Sequence, residues 1–376
     1  MKTKDLATDE VSTQWRRLVG RRSFLKGVGA VGATLPAGVL FATQAQAASL
    51  SKGDAAILRF LAAAEIIESD LWQQYNELGG VKGGNPAYIL ALQNLDGDMP
   101  QYITDNTDDE LSHADFLNAY LKSRGAQPVN LDKFRTLASS AATGANHTKK
   151  RLTNLMKLNV DTSWYVRYRS MQNPDLGATF PQAVTINKEP AIPISDQDTP
   201  PGQPQPVPPA NAQESRMQAI ANTAGFHFAF IEQGGASLYT AMALKARDLE
   251  VLRIVISIGG VEVDHFGLWH DKAGNAVNDP LAGVTDPETG VTFPNLNNKT
   301  PLELFKTNKI LPEPCDFIRK DLPRCSVIRP SSDQLAGARA AVAALTQDNL
   351  FDGQSKEFFD TIKDLADAAD AAEREL

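Results

Sequence analysis

The chain has 376 residues, of which 42% are hydrophobic and 22% are charged, so it can bury a sizeable core and is not disordered by composition. Residues 1–47 carry seven Lys or Arg and three Asp or Glu, so the formal net charge of −8 leaves −12 on the rest of the chain. An acidic body repels a phosphate backbone, which argues against nucleic acid as a partner.

The N-terminal segment has the parts of an export signal in their usual order. GRRSFLKG, residues 20–27, resembles a twin-arginine signal with Arg21 beside Arg22. A mildly apolar stretch follows over residues 28–43, and AQA at residues 45–47 fits an A-x-A cleavage site. We therefore expect a signal peptide, export by the twin-arginine machinery, and a periplasmic or extracellular mature protein. We expect no transmembrane segment in that mature chain.

Helical periodicity marks four regions. Apolar residues recur every three or four positions over residues 52–78, which predicts a first helix that ends at a run of glycines. A second helical region covers residues 86–124, and Asp-Gly-Asp followed by proline should break it near residues 96–100. Residues 211–245 and 248–272 are predicted to form the third and fourth helices.

A crossover over residues 129–210 separates the second helix from the third. Its first part shows helical patches up to about residue 168. Its last part, EPAIPISDQDTPPGQPQPVPPA, has eight prolines in 22 residues, too many for a helix or a central strand. Because loops of this size are unusual within a compact domain, we expect the crossover to pack over the bundle, where it could cover a site.

The remainder, residues 273–376, is expected to be a loop-rich extension. Turn or strand signals lie near residues 290–293, and residues 354–376 predict a final acidic amphipathic helix. The two cysteines of the chain, Cys315 and Cys325, lie in the stretch PCDFIRKDLPRC. Outside the cytoplasm, two cysteines this close are most simply explained by one local disulfide.

Two Glu-x-x-His motifs on predicted helices offer chemistry. ELSHADF places Glu110 three residues before His113, and VEVDHFGLWH places Glu262 three before His265. A separation of three puts two side chains about 60° apart on one face of a helix. Each motif can therefore bring a carboxylate and an imidazole to one point. The alternative is that both pairs are ordinary exposed polar residues of a helix surface.

A second repeat lies on the other two helices. Glu68 precedes Tyr75 by seven residues, and Glu232 precedes Tyr239 by seven, so each tyrosine shares a stripe with its glutamate. One Glu from each of two helices plus Glu-x-x-His from each of the other two is the inward-facing ligand set of di-iron and di-manganese carboxylate bundles. We expect both tyrosines to donate hydrogen bonds to the ligands or to pack as core aromatics, rather than to be redox-active.

The predicted ligands would form a dinuclear site. Four carboxylates would offset the charge of two metal ions, with Glu110 and Glu262 bridging them. Oxygen ligands with one imidazole per metal suit iron or manganese and leave positions open for dioxygen or hydrogen peroxide. The predicted metal ligands are Glu68, Glu110, His113, Glu232, Glu262 and His265.

The ligand on the first helix has an alternative. Glu65 lies three residues before Glu68 and shares its face, so either carboxylate could point inward. The repeat favours Glu68, because Ala229 stands in the third helix at the place that matches Glu65.

The stretches ELSHADFLNAYLKSRGAQPVN and VEVDHFGLWHDKAG resemble the exported ferritin-like domain family, which includes plant desiccation-related proteins and fungal stress-response relatives. The similarity covers residues 53–128 and 212–272. It implies an all-α, ferritin-like four-helix bundle over residues 48–272, with a long crossover between helices 2 and 3 and a possible dinuclear site. It implies no single reaction, because the superfamily spans storage, oxidation, peroxide reduction and catalase chemistry.

Two functions fit these features. The first is a secreted protein whose carboxylate-bridged dinuclear iron or manganese centre reacts with dioxygen or hydrogen peroxide as an oxidase, peroxidase or catalase. The second is a non-catalytic stress-related or metal-sequestering protein that uses the bundle as a scaffold. The sequence does not choose between iron and manganese, since both accept this ligand set.

Overall fold

The computed structural model describes residues 49–169, 181–198, 215–296, 319, 321–323 and 336–374. The segment 1–47 and the pair Cys315 and Cys325 lie outside these ranges, as does most of the proline-rich connector. Within them the all-α prediction is confirmed, because the only β pairing described consists of isolated bridges. The described α-helices are α1 (Lys52–Gly79), α2 (Pro86–Leu95), α3 (Met99–Ser123), α4 (Ser163–Arg169), α5 (Arg216–Ala243), α6 (Leu249–Ala276), α7 (Ala338–Gln347) and α8 (Lys356–Asp370).

Two pairs of long helices form the bundle. α1 packs along α3, α5 packs along α6, and α2 lies against α5. Side-chain caps fix where three of these helices begin: Ser51, Ser215 and Asp248 each accept a hydrogen bond from an amide in the first turn of α1, α5 and α6. Between the pairs lies an apolar core that includes the stacked indoles of Trp72 and Trp269, 5.4 Å apart.

The second helical region is divided at the predicted break. The Asp96 amide still donates to the Leu92 carbonyl, and the Asp98 amide donates to the Asp96 side chain at 2.9 Å, which closes a turn between α2 and α3. Pro100 follows in the first turn of α3, where a missing amide hydrogen removes no helical hydrogen bond. The long α3 that results carries the first Glu-x-x-His motif.

The described crossover packs on α1 as an irregular chain with little helix. The helical patches predicted before residue 168 reduce to the 3₁₀ turn Asp132–Phe134 and to α4. The reason is that α1 supplies other partners for the backbone: the buried carboxylate of Asp70 accepts the amides of Leu152 and Thr153 at 2.9 and 3.0 Å. Amides bonded in this way are not available to an i→i−4 ladder.

The C-terminal part adds two helices to the bundle. α8 packs on α1, and α7 packs on α8 and α5. α7 lies inside a stretch that was expected to be rich in loops, although its sequence, ARAAVAALTQ, is dominated by the best helix former, alanine. Within the described ranges, no helix combines the length and the apolar run that a membrane span requires.

Candidate metal centre

The two Glu-x-x-His motifs face each other inside the bundle. Glu110 and His113 lie on α3, Glu262 and His265 lie on α6, and all four side chains are buried. The Nδ1 atom of His113 is 3.1 Å from Glu110 and 3.6 Å from Glu262, so one imidazole meets carboxylates of both helices. The alternative hypothesis, that both Glu-x-x-His pairs are exposed residues of a helix surface, is therefore wrong.

Six side chains form two overlapping groups. In each group, one atom per residue lies within 4.8 Å of the atoms of the others. Glu110 and Glu262 belong to both groups, which is the position that a bridging carboxylate would hold. The first group is Glu65, Glu110, His113 and Glu262, and the second is Glu110, Glu232, Glu262 and His265.

On α1 the structure brings Glu65, and not Glu68, into these groups. Glu65 lies 3.5 Å from the Nδ1 atom of His113, and the Tyr239 hydroxyl donates a hydrogen bond to its other oxygen. Glu68 is one turn further on and lines a cavity beside the cluster. The geometry therefore favours the alternative ligand Glu65, while Glu68 remains close enough to interact electrostatically with Glu110 and Glu232.

The two tyrosines have different surroundings. Tyr239 contacts the cluster through Glu65, as described. The Tyr75 hydroxyl instead lies 2.7 Å from Nδ1 of His227, whose Nε2 atom is 3.1 Å from the Asp348 carboxylate. Tyr75 therefore belongs to a buried Tyr–His–Asp chain, and not to the contacts of the six side chains.

Asn106 and Trp269 complete the cluster, although neither was predicted to contact it. The Asn106 amide donates to Glu110 at 2.9 Å and to Glu232 at 3.0 Å, while the Trp269 indole donates to the Asn106 carbonyl at 2.7 Å. These linked hydrogen bonds fix the orientation of the Glu110 and Glu232 carboxylates. The signal in the sequence is the spacing, since Asn106 lies four residues before Glu110 on the same helix face.

The second histidine is held from both sides. His265 turns Nδ1 towards Glu110 and Glu232, at 3.1 and 3.2 Å, and its Nε2 atom lies 3.2 Å from Asp109 on α3. Asp109 is half exposed and sits at the edge of the cluster. A carboxylate on the outer imidazole nitrogen orients the ring so that Nδ1 faces inward.

The buried carboxylates perturb the protonation of their neighbours. Burial and the charge of Glu232 raise the pKa of Glu110 to about 7. Burial and the charge of Glu110 raise the pKa of Glu262 well above its usual value. Burial alone would lower the pKa of His113, but its hydrogen bond to Glu110 and the nearby charge of Glu65 outweigh burial and raise that pKa to about 10. Positive charge is therefore favoured at the centre of the cluster.

Several carboxylate oxygens of the cluster have no hydrogen-bond donor among the described side chains. Both carboxylate oxygens of Glu262 are buried without a hydrogen-bond donor among the described side chains, and so is one oxygen of Glu65. Gly235 leaves the room that Glu262 occupies, because a Cβ atom there would lie 2.2 Å from its Oε2 atom. Because burying a charged carboxylate is costly unless donors or cations meet its oxygens, the residues fit a metal site.

The helices and the buried carboxylate–histidine cluster define an all-α helical bundle whose buried side chains are compatible with a metal site. The sequence matches the ferritin-like domain family over residues 53–275, which is more than half of the chain and contains the whole cluster. The protein therefore belongs to the ferritin-like domain family. Neither a search of curated proteins nor a search of solved structures found a match.

Proposed function

We propose that the cluster holds two iron or manganese ions, bridged by Glu110 and Glu262, and that this centre reacts with dioxygen or hydrogen peroxide. The observation that carries the proposal is the pair of overlapping groups, in which these two carboxylates are common to both. One ion would have Glu65 and His113 as its other ligands, and the second would have Glu232 and His265. Such a centre supplies a site where an oxidant can be bound and reduced between two cations.

The residues of the chain prepare this site in three ways. Glu110, Glu232 and Glu262 are fully buried, so their charges act in a region from which water is excluded. Asn106 fixes two of the carboxylates, and Asp109 orients one imidazole. The hydroxyl of Tyr239 donates a hydrogen bond to Glu65, so a proton donor contacts one of the proposed ligands.

We also propose that the protein reaches its place of action as a folded, metal-loaded chain. The support is the twin-arginine-like signal at residues 20–27, since that route exports folded proteins. Loading before export would let the cytoplasm choose the metal. The mature protein would then act in the periplasm or outside the cell.

The first experiment measures the metal content of the mature protein by elemental mass spectrometry, after export by a competent host supplied with both metals. We expect about two iron or manganese ions per chain. A His113→Ala/His265→Ala double variant should lose them, and His147→Ala, an exposed histidine away from the cluster, should keep them. A folded wild-type sample that contains neither iron nor manganese would contradict the proposal.

Turnover decides between catalysis and sequestration. A catalytic centre consumes hydrogen peroxide, or dioxygen with an added reductant, and loses this activity in Glu110→Ala. A protein that keeps two ions but turns over neither oxidant would support the metal-sequestering function instead.

The second experiment tests the choice of ligand on α1. Glu65→Ala should lower the metal content to about one ion per chain or less, because Glu65 belongs to the first group of ligands. Glu68→Ala, the matched control one turn away, should retain both ions. The reverse result, with Glu68 required and Glu65 dispensable, would show that the carboxylates exchange roles when metal binds.

A further inference from the structure

A cavity of about 240 Å³ lies beside the cluster, between α1, α5 and α7. Glu68, Asp161 and Arg167 are its charged lining groups. Asp161 and Arg167 carry opposite charges, so together they favour neither an anion nor a cation in the cavity. Its walls are otherwise mainly apolar, with large side chains from Phe60, Ile67, Leu71, Phe230, Leu238 and Leu345.

The cavity reaches the cluster at two points. Gly235 is part of its wall. A Cβ atom at Gly235 would lie 2.2 Å from Oε2 of Glu262, so the absence of a side chain there makes room for that carboxylate. Glu68 is part of the same wall, and its carboxyl interacts electrostatically with Glu110 and Glu232. None of the six cluster residues lines the cavity itself, so a molecule in it would be one residue away from the proposed bridging carboxylate of Glu262.

Glu68 supplies a polar anchor without a partner. Its side chain is nine-tenths buried, and its Oε1 atom has no hydrogen-bond partner among the described residues. Oε1 itself is closed off on the side of the cluster, so a molecule in the cavity would meet the rest of the Glu68 carboxyl, a polar group in an otherwise mainly apolar wall. The six-residue cluster does not use this group, since Glu65 takes the place on α1.

We infer that the cavity binds the organic substrate of the proposed centre, a small neutral molecule with an apolar body and one hydrogen-bonding group that meets Glu68. The inference rests on the proposed function, for which it names the substrate class. An apolar cavity of about 150 Å³ accommodates benzene, so this one suits a molecule of about ten non-hydrogen atoms. Asp161 and Arg167 offset each other, so the Glu68 carboxyl is left to repel an anionic head group in the cavity.

The test is calorimetric titration of the metal-loaded mature protein with 1-octanol, a neutral probe of this size, with octanoate and 1-hexadecanol for comparison. We expect saturable 1-octanol binding at one site, at least tenfold weaker binding of octanoate, and no binding of 1-hexadecanol. Glu68→Leu should weaken 1-octanol about fivefold, the effect of one hydrogen bond, and Glu68→Gln should retain most of the affinity.

Two exposed glycines give a matched pair for blocking the entrance. Gly234 lines the cavity, Gly260 lies on α6 away from it, and a Cβ atom at either position meets nothing within 4 Å. Gly234→Trp should weaken 1-octanol binding at least tenfold without changing metal content, and Gly260→Trp should change neither.

The possible failures are distinguishable because metal content is measured on the same samples. Two ions per chain without 1-octanol binding would overturn the inference and leave the proposed function standing. If the protein binds 1-octanol but takes up no metal, the proposed function is wrong, and the cavity ligand is not the substrate of a metal centre. Binding of 1-hexadecanol as tight as that of 1-octanol would also overturn the inference, and would identify a site for a lipid chain.

Discussion

At the scale of single residues, the cluster depends on the volume of side chains as much as on their charge. Gly235 lies on α5 three residues after Glu232, and its lack of a side chain lets the α6 carboxylate of Glu262 approach the α5 backbone. The neighbouring Gly234 has open space around it. Both glycines line the cavity, but only Gly235 also leaves room for a carboxylate of the cluster, so the two positions have different roles.

Replacing each glycine by alanine separates these roles. Gly235→Ala places a methyl group 2.2 Å from the present position of Glu262 Oε2, so the carboxylate must move. We expect metal content to fall to about one ion per chain or less, because one bridging ligand is displaced. Elemental analysis of the purified variant measures this.

The control is Gly234→Ala. It should keep both ions and gain about 0.5–1 kcal/mol in the free energy of unfolding, since alanine is the better residue in a helix interior. Equal metal content in the two variants would show that Glu262 can bind from another position.

At the scale of elements, buried ion pairs join the irregular segments to the helices. Arg216, the first residue of α5, contacts the carboxylates of Asp198 in the crossover and Asp286 after α6. Arg216 and Asp198 are largely buried, and Asp286 is fully buried. One guanidinium thus connects three parts of the chain that are distant in sequence.

Arg216→Met should destabilise the protein by about 3–5 kcal/mol, because methionine fills similar space but leaves two buried carboxylates without their partner. Equilibrium unfolding in urea measures the change. Lys356→Met, which removes an exposed ion pair with Asp360 on α8, should cost less than about 0.5 kcal/mol. Similar losses for both variants would mean that the Arg216 contacts contribute no more than a surface pair.

The same elements explain what the sequence could predict. The Glu-x-x-His spacing puts carboxylate and imidazole on one helix face, so Glu110 could be paired with His113 and Glu262 with His265 from the sequence, and the ligand pattern of carboxylate bundles predicted that the two pairs meet. The choice between Glu65 and Glu68 could not be made, because both lie on the inward side of α1 and the decision depends on the Tyr239 hydroxyl of another helix.

The crossover was predictable only in outline for a related reason. Its backbone follows contacts such as that of Asp70 with Leu152, which are 82 residues apart. Local periodicity contains no information about a partner so far along the chain.

At the scale of the whole molecule, the C-terminal segment is joined to the bundle through the buried Tyr–His–Asp chain. Asp348 follows α7, while Tyr75 lies on α1 and His227 on α5, and all three side chains are almost fully buried. The same segment forms one wall of the cavity through Leu345 and Leu350. The protonation of Asp348 therefore bears on how firmly that wall is held.

This link predicts a specific pH dependence of stability. Burial raises the pKa of Asp348 from 3.8 to about 6, an effect that the charge of Asp161 reinforces and that of His227 opposes. Because the carboxyl is more easily protonated in the folded state, its contribution to stability is fully present below about pH 4 and is lost as the pH rises through about 6. The change corresponds to about 3 kcal/mol.

Asp348→Asn removes this titration and keeps a side chain that can still meet His227. The free energy of unfolding of the wild type, measured relative to that of the variant, should therefore fall between pH 4 and pH 6.5 and be level above it. The other carboxylates are present in both proteins, so their titration cancels in the difference between the two free energies of unfolding. A difference that stays constant across this range would mean that Asp348 is ionised as readily in the folded chain as in the unfolded one, so that its protonation contributes nothing to holding the segment.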